Sequence, residues 1–367
     1  MTGILPKITF GIIVLNGEPF TRYNLRSLYP FAHQIIVVEG ASPYAANVAT
    51  PDGHSLDGTL EILHSFKQEE DPENKLLVVT AEDEHHSNGF WPGEKDEQSQ
   101  AYAKRATGDW LWQIDIDEFY QESDMTLVED LLVHDPSITA ITFPEIPFWG
   151  SFDYCCDGIL LRLEYSKFHR LFKWGDGYKL VTHRPPTVIN SEGVNLRDIH
   201  WLNDEDMRAS RVFLYHYTQI FPKQVSSKMA YYEEMIRQTN NRNRPVRNTK
   251  KWYKETFLSL HNPYRVHTVN KWPSWLVQFT GCHPSQIQKL KSDIDHGQIP
   301  MVMRDMYDAS VLVRSRKYQI GIALLKVWTN YVVQTGRLGS SLLRRRVNFL
   351  QFLRGLWLII TYRQRIF

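Results

Sequence analysis

Apolar runs separated by polar, helix-spaced segments organise the first part of the chain. "KITFGIIVL" (7–15) is a near-continuous run rich in β-branched residues, the pattern of a strand buried on both faces. "NGEPF" breaks it, and "TRYNLRSLYPFA" (21–32) follows as a short helix with Leu25 and Leu28 three apart. "QIIVVEG" (34–40) reads as a second buried strand. "SLDGTLEILHSF" (55–66) opens with capping residues and then places Leu60, Ile62, Leu63 and Phe66 at helical spacing. "KLLVVTA" (75–81) is a third strand, "KDEQSQAYAKRAT" (95–107) a polar helix, and "DWLWQIDID" (109–117) a fourth strand. Strands alternating with helices at this spacing predict an α/β fold with a mostly parallel central sheet and helices on both faces.

After Tyr120 the pattern changes. Residues 124–135 read as a helix, 138–150 and 168–186 as strands with turns, and 212–221 as a last short strand. From about 223 the chain reads as largely helical, with a basic patch at 241–254. Residues 309–367 carry 11 Lys and Arg and no Asp or Glu, interleaved with apolar residues. That predicts a basic amphipathic tail lying on an anionic membrane surface, with a buried helix pair as the competing reading. The boundaries follow: residues 1–225 as the catalytic unit, 226–310 as a helical accessory region on the acceptor side, and 311–367 as the tail.

Composition narrows the classes. The 367 residues are 43% hydrophobic and 23% charged, an ordinary globular balance, and the formal net charge of +1 gives no reason to expect nucleic acid. Cys155, Cys156 and Cys282 make no disulfide framework, so a reducing, cytoplasmic compartment is expected, with the tail on the inner face of the membrane. The N-terminus reads as a strand rather than a signal peptide, and no uninterrupted apolar stretch is long enough to span a bilayer. Neither a GxGxxG nor a GxxxxGK[ST] loop is present, which argues against dinucleotide and ATP-loop sites.

In open α/β sheets, ligands bind beyond the carboxyl ends of the strands. Three strands here end in polar residues: Asn16-Gly17-Glu18, Glu39, and Asp115-Ile116-Asp117. Strand alternation predicts Asp115 and Asp117 on one face, with Ile114 and Ile116 on the other. Two neighbouring carboxylates repel, and a divalent cation resolves the conflict. A hard oxygen site with few protein ligands suits Mg²⁺ or Mn²⁺ held largely through a substrate diphosphate. A solvated strand end is the competing reading.

Taken together and in order, these segments resemble the GT-A glycosyltransferases, close to family 2. "IIVLNGEPFTRYNLRSL" resembles their first strand and loop, "IIVVEGAS" with "SLDGTLEIL" their "VVDSGSTDGT" region, and "AKRATGDWLWQIDIDEF" the segment with the paired aspartates. "FHRLFKWGDGYKLVTHRPP" and "LYHYTQIFPKQVSSKMAYY" resemble later segments of the lipopolysaccharide-core-type subset, so the resemblance covers roughly 7–232. It implies a Rossmann-like GT-A domain and transfer from a nucleotide-sugar donor to a glycan or lipid-linked acceptor hydroxyl, with inversion. Asp115 and Asp117 would hold the metal, with His216 as a third metal or phosphate contact against the competing reading of a packed strand histidine. Glu39 would meet the ribose or base, Asn16 and Glu18 would border the nucleotide, with turn chemistry as a strong competitor, and Arg184 would pair with a phosphate. Where the subset carries a His-Glu pair, this chain has His183-Arg184, which leaves the base and the stereochemical outcome open. Glu145, Asp176 and Glu192 are the substitutes. A nucleotidyltransferase or phosphohydrolase also uses paired aspartates, and a non-catalytic sugar-binding scaffold is the third class.

Overall fold

A computed structural model describes residues 5–93, 95–159, 161, 168–239, 249–267 and 272–336. The first half runs β1 (Ile8–Val14), α1 (Thr21–Leu28), β2 (Gln34–Glu39), α2 (Thr59–Glu69), β3 (Leu76–Val79), α3 (Lys95–Ala103) and β4 (Trp110–Asp115). Then come β5 (Glu118–Phe119), α4 (Glu122–His134), β6 (Ala140–Phe143), β7 (Glu145–Trp149), β8 (Ser151–Gly158), β9 (Phe168–Lys173), β10 (Lys179–His183), β11 (Pro186–Ile189) and β12 (Trp201–Leu202). The remainder is α5 (Asp204–Ala209), β13 (Leu214–Gln219), α6 (Pro222–Thr239), α7 (Thr249–Trp252), β14 (Ser274–Gln278), α8 (Ser285–Asp295), α9 (Tyr307–Arg314) and α10 (Arg316–Gly336).

The large sheet has the order β12-β6-β9-β4-β1-β2-β3. β1, β2, β3 and β4 pair in parallel, β12 pairs with β6 in parallel, and β9 is antiparallel to both neighbours. The expected mostly parallel α/β sheet is therefore present. Every residue of β1 is buried, because apolar layers cover both faces. Leu25 and Leu28 of α1, Leu63 and Phe66 of α2, and Val128 and Leu132 of α4 pack on one face with Phe10 and Ile12. Ala101 and Tyr102 of α3 and Leu180 and Val188 of the β10–β11 hairpin pack on the other with Ile13 and Val38. Each buried aliphatic side chain contributes about 1.5–3 kcal/mol. Gly11 lets the Tyr102 ring lie against β1, since a β-carbon there would sit 2.5 Å from it.

A second sheet has the order β14-β8-β7-β13-β5. Its aromatic core stacks Phe148 on Tyr217 at 4.4 Å between ring centroids, with Phe20 and Phe152 around them. The chain passes from the large sheet to the small one between β4 and β5, and the crossing is Asp115-Ile116-Asp117.

Several elements differ from the sequence reading. β4 ends at Asp115, and Ile116-Asp117 is a turn, so strand alternation does not set the direction of Asp117. The segment from 223 onward includes β14, which closes the second sheet against β8 with Ser274 opposite Gly158. β14 forms there because Trp275 and Leu276 are buried between β8 and the late helices. Among the described residues no helix is long and apolar enough to cross a membrane. Residues 241–248 of the basic patch and 337–367 of the tail lie outside the described residues.

Candidate active site

The turn between β4 and β5 presents two carboxylates to two sets of partners. Asp115 closes β4, and the neighbouring antiparallel β9 brings Arg170 beside it, Nη2 to Oδ2 at 3.2 Å. The same guanidinium pairs with Glu118, which is fully buried. Glu118 also accepts the backbone N–H of Asp115 at 3.1 Å, which fixes the turn. Burial would raise the Asp115 pKa, yet Lys95, Arg170, His183 and Arg184 together hold it well below the usual carboxylate value. Burial pushes the Glu118 carboxyl up to about 7, with Arg170 opposing.

Asp117 faces the small sheet. His216 on β13 lies with Nε2 3.4 Å from Asp117 Oδ1, while its Nδ1 is 2.5 Å from Glu145 Oε1 on β7. Strand register creates this chain: His216 is opposite Glu118 on one side, and Leu214 is opposite Glu145 on the other. Gln224 of α6 donates to Asp117 Oδ2 at 3.3 Å. Burial works against charge on Asp117, but His216 and Lys228 bring it down to about 2. Burial likewise opposes charge on His216, and Asp117 and Glu145 outweigh it, raising its pKa to about 10. With no ion at the aspartates the charged imidazole is thus favoured, and Nε2, buried and facing Asp117, makes no hydrogen bond.

Both aspartates retain some exposure, 22% and 13% of their side chains, so the pair is not sealed off. Asp115 Oδ1 is buried and has no hydrogen-bond partner. Among the described residues no three His, Cys, Asp or Glu side chains are grouped to hold a metal. The donor set that fits is two carboxylates completed by phosphate oxygens and water, the habit of Mg²⁺ and Mn²⁺.

The remaining expected residues divide. Arg184, at the end of β10, acts on Asp115 and so joins the site. Glu145 joins it through His216. Asp176 and Glu192 sit on exposed turns flanking the β10–β11 hairpin, and no contact ties either to the carboxylates. Glu39 is fully buried, and both its oxygens are engaged: Oε1 by Ser55 N and Oγ at 2.8 and 2.7 Å, Oε2 by His54 Nδ1 at 2.8 Å. Asn16 accepts from Leu56 N at 2.6 Å and donates to Val48 O at 2.7 Å. Glu39 and Asn16 thus brace the 48–56 loop from the ends of β2 and β1. Glu18 keeps Oε1 buried without a partner, and burial raises its carboxyl pKa. Asp57 accepts from Thr59 N and Oγ1 and, at 3.0 Å, from Glu18 N, which ties the start of α2 to the turn after β1. Trp149 and Trp201 donate to Val266 O and Thr142 Oγ1, inside the protein.

Sequence reasoning missed Arg170, Lys95 and Lys228. Arg170 sits in "FHRLF", where a cation inside an apolar strand signals a buried ion pair. Lys228 lies within "LYHYTQIFPKQVSSKMAYY", where nothing in the local pattern sets it apart from a solvated helix lysine.

No family model matches this chain, and no curated protein does. Among solved structures it is similar to glucosyl-3-phosphoglycerate synthase from Mycobacterium tuberculosis in complex with Mn²⁺, UDP and phosphoglyceric acid. The identity is 17%, the TM-score 0.27, and the match covers 39% of this chain and 43% of that one. The same synthase with Mg²⁺ and UDP gives 17% and 0.27, over 39% and 44%. S. aureus TarS 1–349 is 12% identical with a TM-score of 0.34, over 63% of this chain and 65% of that one. The match thus spans less than half of the synthase.

Proposed function

We propose that this chain is a metal-dependent glycosyltransferase of the GT-A kind, moving a sugar from a nucleotide-sugar donor to an acceptor hydroxyl. The observation that carries the reading is the β4–β5 turn. At the carboxyl edge of four parallel strands it holds two ionised, partly exposed aspartates, one with a buried oxygen lacking any partner. Strand ends of an open α/β sheet are where nucleotides bind.

Asp115 and Asp117 would hold Mn²⁺ or Mg²⁺, which as a Lewis acid offsets the charge that develops on a leaving diphosphate. Arg170 fixes the Asp115 carboxylate from below. His216, with Nε2 facing Asp117, would supply a third contact to the metal or to a phosphate. Of the three acceptor-side carboxylates, Glu145 alone joins this cluster, and we assign it the removal of the acceptor proton, which gives inversion. The likeness to the lipopolysaccharide-core-type subset rests on the segment that supplies His216, Lys228 and Tyr232.

For the acceptor we infer a glycan or lipid-linked glycan at an anionic membrane surface. α9 and α10 support this: Val311, Ile320, Leu324 and Val327 are exposed beside Arg314, Arg316, Lys317 and Lys326, and residues 309–336 contain no acid.

The test is release of nucleoside diphosphate from a panel of nucleotide sugars with Mn²⁺, with Mg²⁺ and with EDTA. Turnover should require the cation, and Asp115→Asn and Asp117→Asn should each lower it by about 100-fold, roughly 2.7 kcal/mol. Release of pyrophosphate instead, or unchanged turnover in both variants, overturns the reading.

A further inference from the structure

Lys95, His183 and Arg184 act electrostatically on Asp115, and Lys228 on Asp117; three of the four have no part in the chemistry above. They stand on three elements that hydrogen bonds hold together. Asp96 of α3 accepts the backbone N–H of His183 at 2.6 Å, and Gln100 one turn further donates to Leu180 O of β10. On α6, Gln224 reaches Asp117, Lys228 bonds Thr218 of β13, and Ala230 O accepts from Asn47 at 3.3 Å. The start of α3, the end of β10 and the Gln224–Lys228 face of α6 therefore lie toward the β4–β5 turn.

Their charges conflict in the free protein. Burial first, then Arg184, pushes the Lys95 ammonium below its usual value, and Lys228 adds to the repulsion. Tyr232, hydrogen-bonded to Arg184, sits in the same field: burial would raise its pKa, but Arg184, Lys228 and Lys95 draw it down. Asp115 offers partial relief, yet it is also committed to Arg170. Cations gathered from separate elements around one spot favour a polyanion there.

His183 supplies an independent observation. Its side chain is buried, with the residue 2% exposed, and Nδ1 has no hydrogen-bond partner. Burial, then Lys95, depresses its pKa to about 2, so the ring is neutral and Nδ1 can carry a proton to donate. An unpartnered buried donor beside clustered cations matches an oxygen-rich anion.

We propose that His183, Lys95, Arg184 and Lys228 form a seat for a diphosphate that binds it through side chains, without a metal ion. The identification of that diphosphate as the donor's rests on the glycosyltransferase reading; the seat itself does not. In this division of labour the cations capture the diphosphate, and the aspartates with their ion activate it.

The experiment is equilibrium binding of inorganic pyrophosphate to the full chain in EDTA. The wild type should bind measurably. Lys95→Met and Lys228→Met should each weaken binding roughly tenfold, and His183→Phe comparably. Lys228→Arg should restore most of the affinity, and thermal unfolding identifies any variant that does not fold. Asp117→Asn should bind equally well or more tightly, because it removes a repelling carboxylate. No binding in EDTA, unchanged affinity in both lysine variants, or loss of binding in Asp117→Asn overturns the seat. If pyrophosphate binding behaves as expected but no nucleotide sugar is turned over, the glycosyltransferase reading falls and the seat stands. If sugar transfer is found while the lysine variants bind pyrophosphate normally, the seat alone falls.

Discussion

Asp115 and Asp117 are two residues apart, yet they belong to different halves of the molecule. Asp115 ends a strand of the large sheet, and Arg170 from the neighbouring strand holds it. Asp117 lies past the turn and is held by the small sheet and α6, through His216 and Gln224. The motif is a hinge point between two sheets, and each carboxylate reports on its own half. The largest expected effect is therefore on one side only. Arg170→Met leaves the fully buried Glu118 without its partner, and above about pH 7, where that carboxylate is ionised, the loss is worth about 3–5 kcal/mol of stability. Urea denaturation measures it, and Glu118→Gln in the same chain should recover part. A loss below about 1 kcal/mol would mean that Glu118 is already neutral and that Arg170 serves Asp115 alone.

The same division explains what could be read from the sequence. β1 to β4 emerge within a residue or two because strands covered on both faces need unbroken apolar runs. β5 and β12 are two residues each, too short for any periodicity. β8, "SFDYCCDG", interleaves buried aromatic and cysteine positions with two aspartates, and β14, "SWLVQ", is a five-residue run inside a segment otherwise read as helical. On the large-sheet side the aspartate and its strand were legible, but Arg170 was not, since pairing across an antiparallel neighbour needs coordinates. On the small-sheet side His216 was legible, and its bond to Glu145 was not. In sequence Glu145, between two prolines after an apolar strand, ranks slightly above Asp176, whose flanking glycines fit a turn, and the fold leaves Asp176 and Glu192 on exposed turns. Glu39 and Asn16 end their strands as expected, yet their side chains are engaged in bracing a loop.

A second way to separate the halves is by pH, measured without metal in EDTA. His216 has its folded-state pKa raised from 6.5 to about 10 by Asp117 and Glu145 against the cost of burial. Its contribution is fully present below about pH 6.5 and is lost as pH rises through 10. Glu118 has its pKa raised from 4.5 to about 7 by burial. Its contribution is present below about 4.5 and is lost as pH rises through 7. On the Asp117 side stability thus falls as pH rises from about 6.5 through 10, and on the Asp115 side it falls as pH rises from about 4.5 through 7. His216→Gln should flatten the wild-type slope between pH 7 and 10, a slope of at most about 1.4 kcal/mol per pH unit for one proton. A stability curve in that range indistinguishable from wild type would show that His216 is neutral when folded even without a metal.

The smallest effect offers the sharpest comparison. Gln224 donates to Asp117 Oδ2 at 3.3 Å and to Tyr217 O at 2.9 Å, and it makes no bond to Asp115. Gln224→Leu should cost about 1–1.5 kcal/mol, since hydrogen bonds to a carboxylate contribute more than neutral ones but a long one contributes less. A double-mutant cycle by urea denaturation should give a coupling of about 0.5–1 kcal/mol with Asp117→Asn and none beyond error with Asp115→Asn. Equal coupling to both aspartates would mean that the turn moves as one rigid unit. In that case the division between the sheets would describe where the partners sit, and the energetics would belong to the pair.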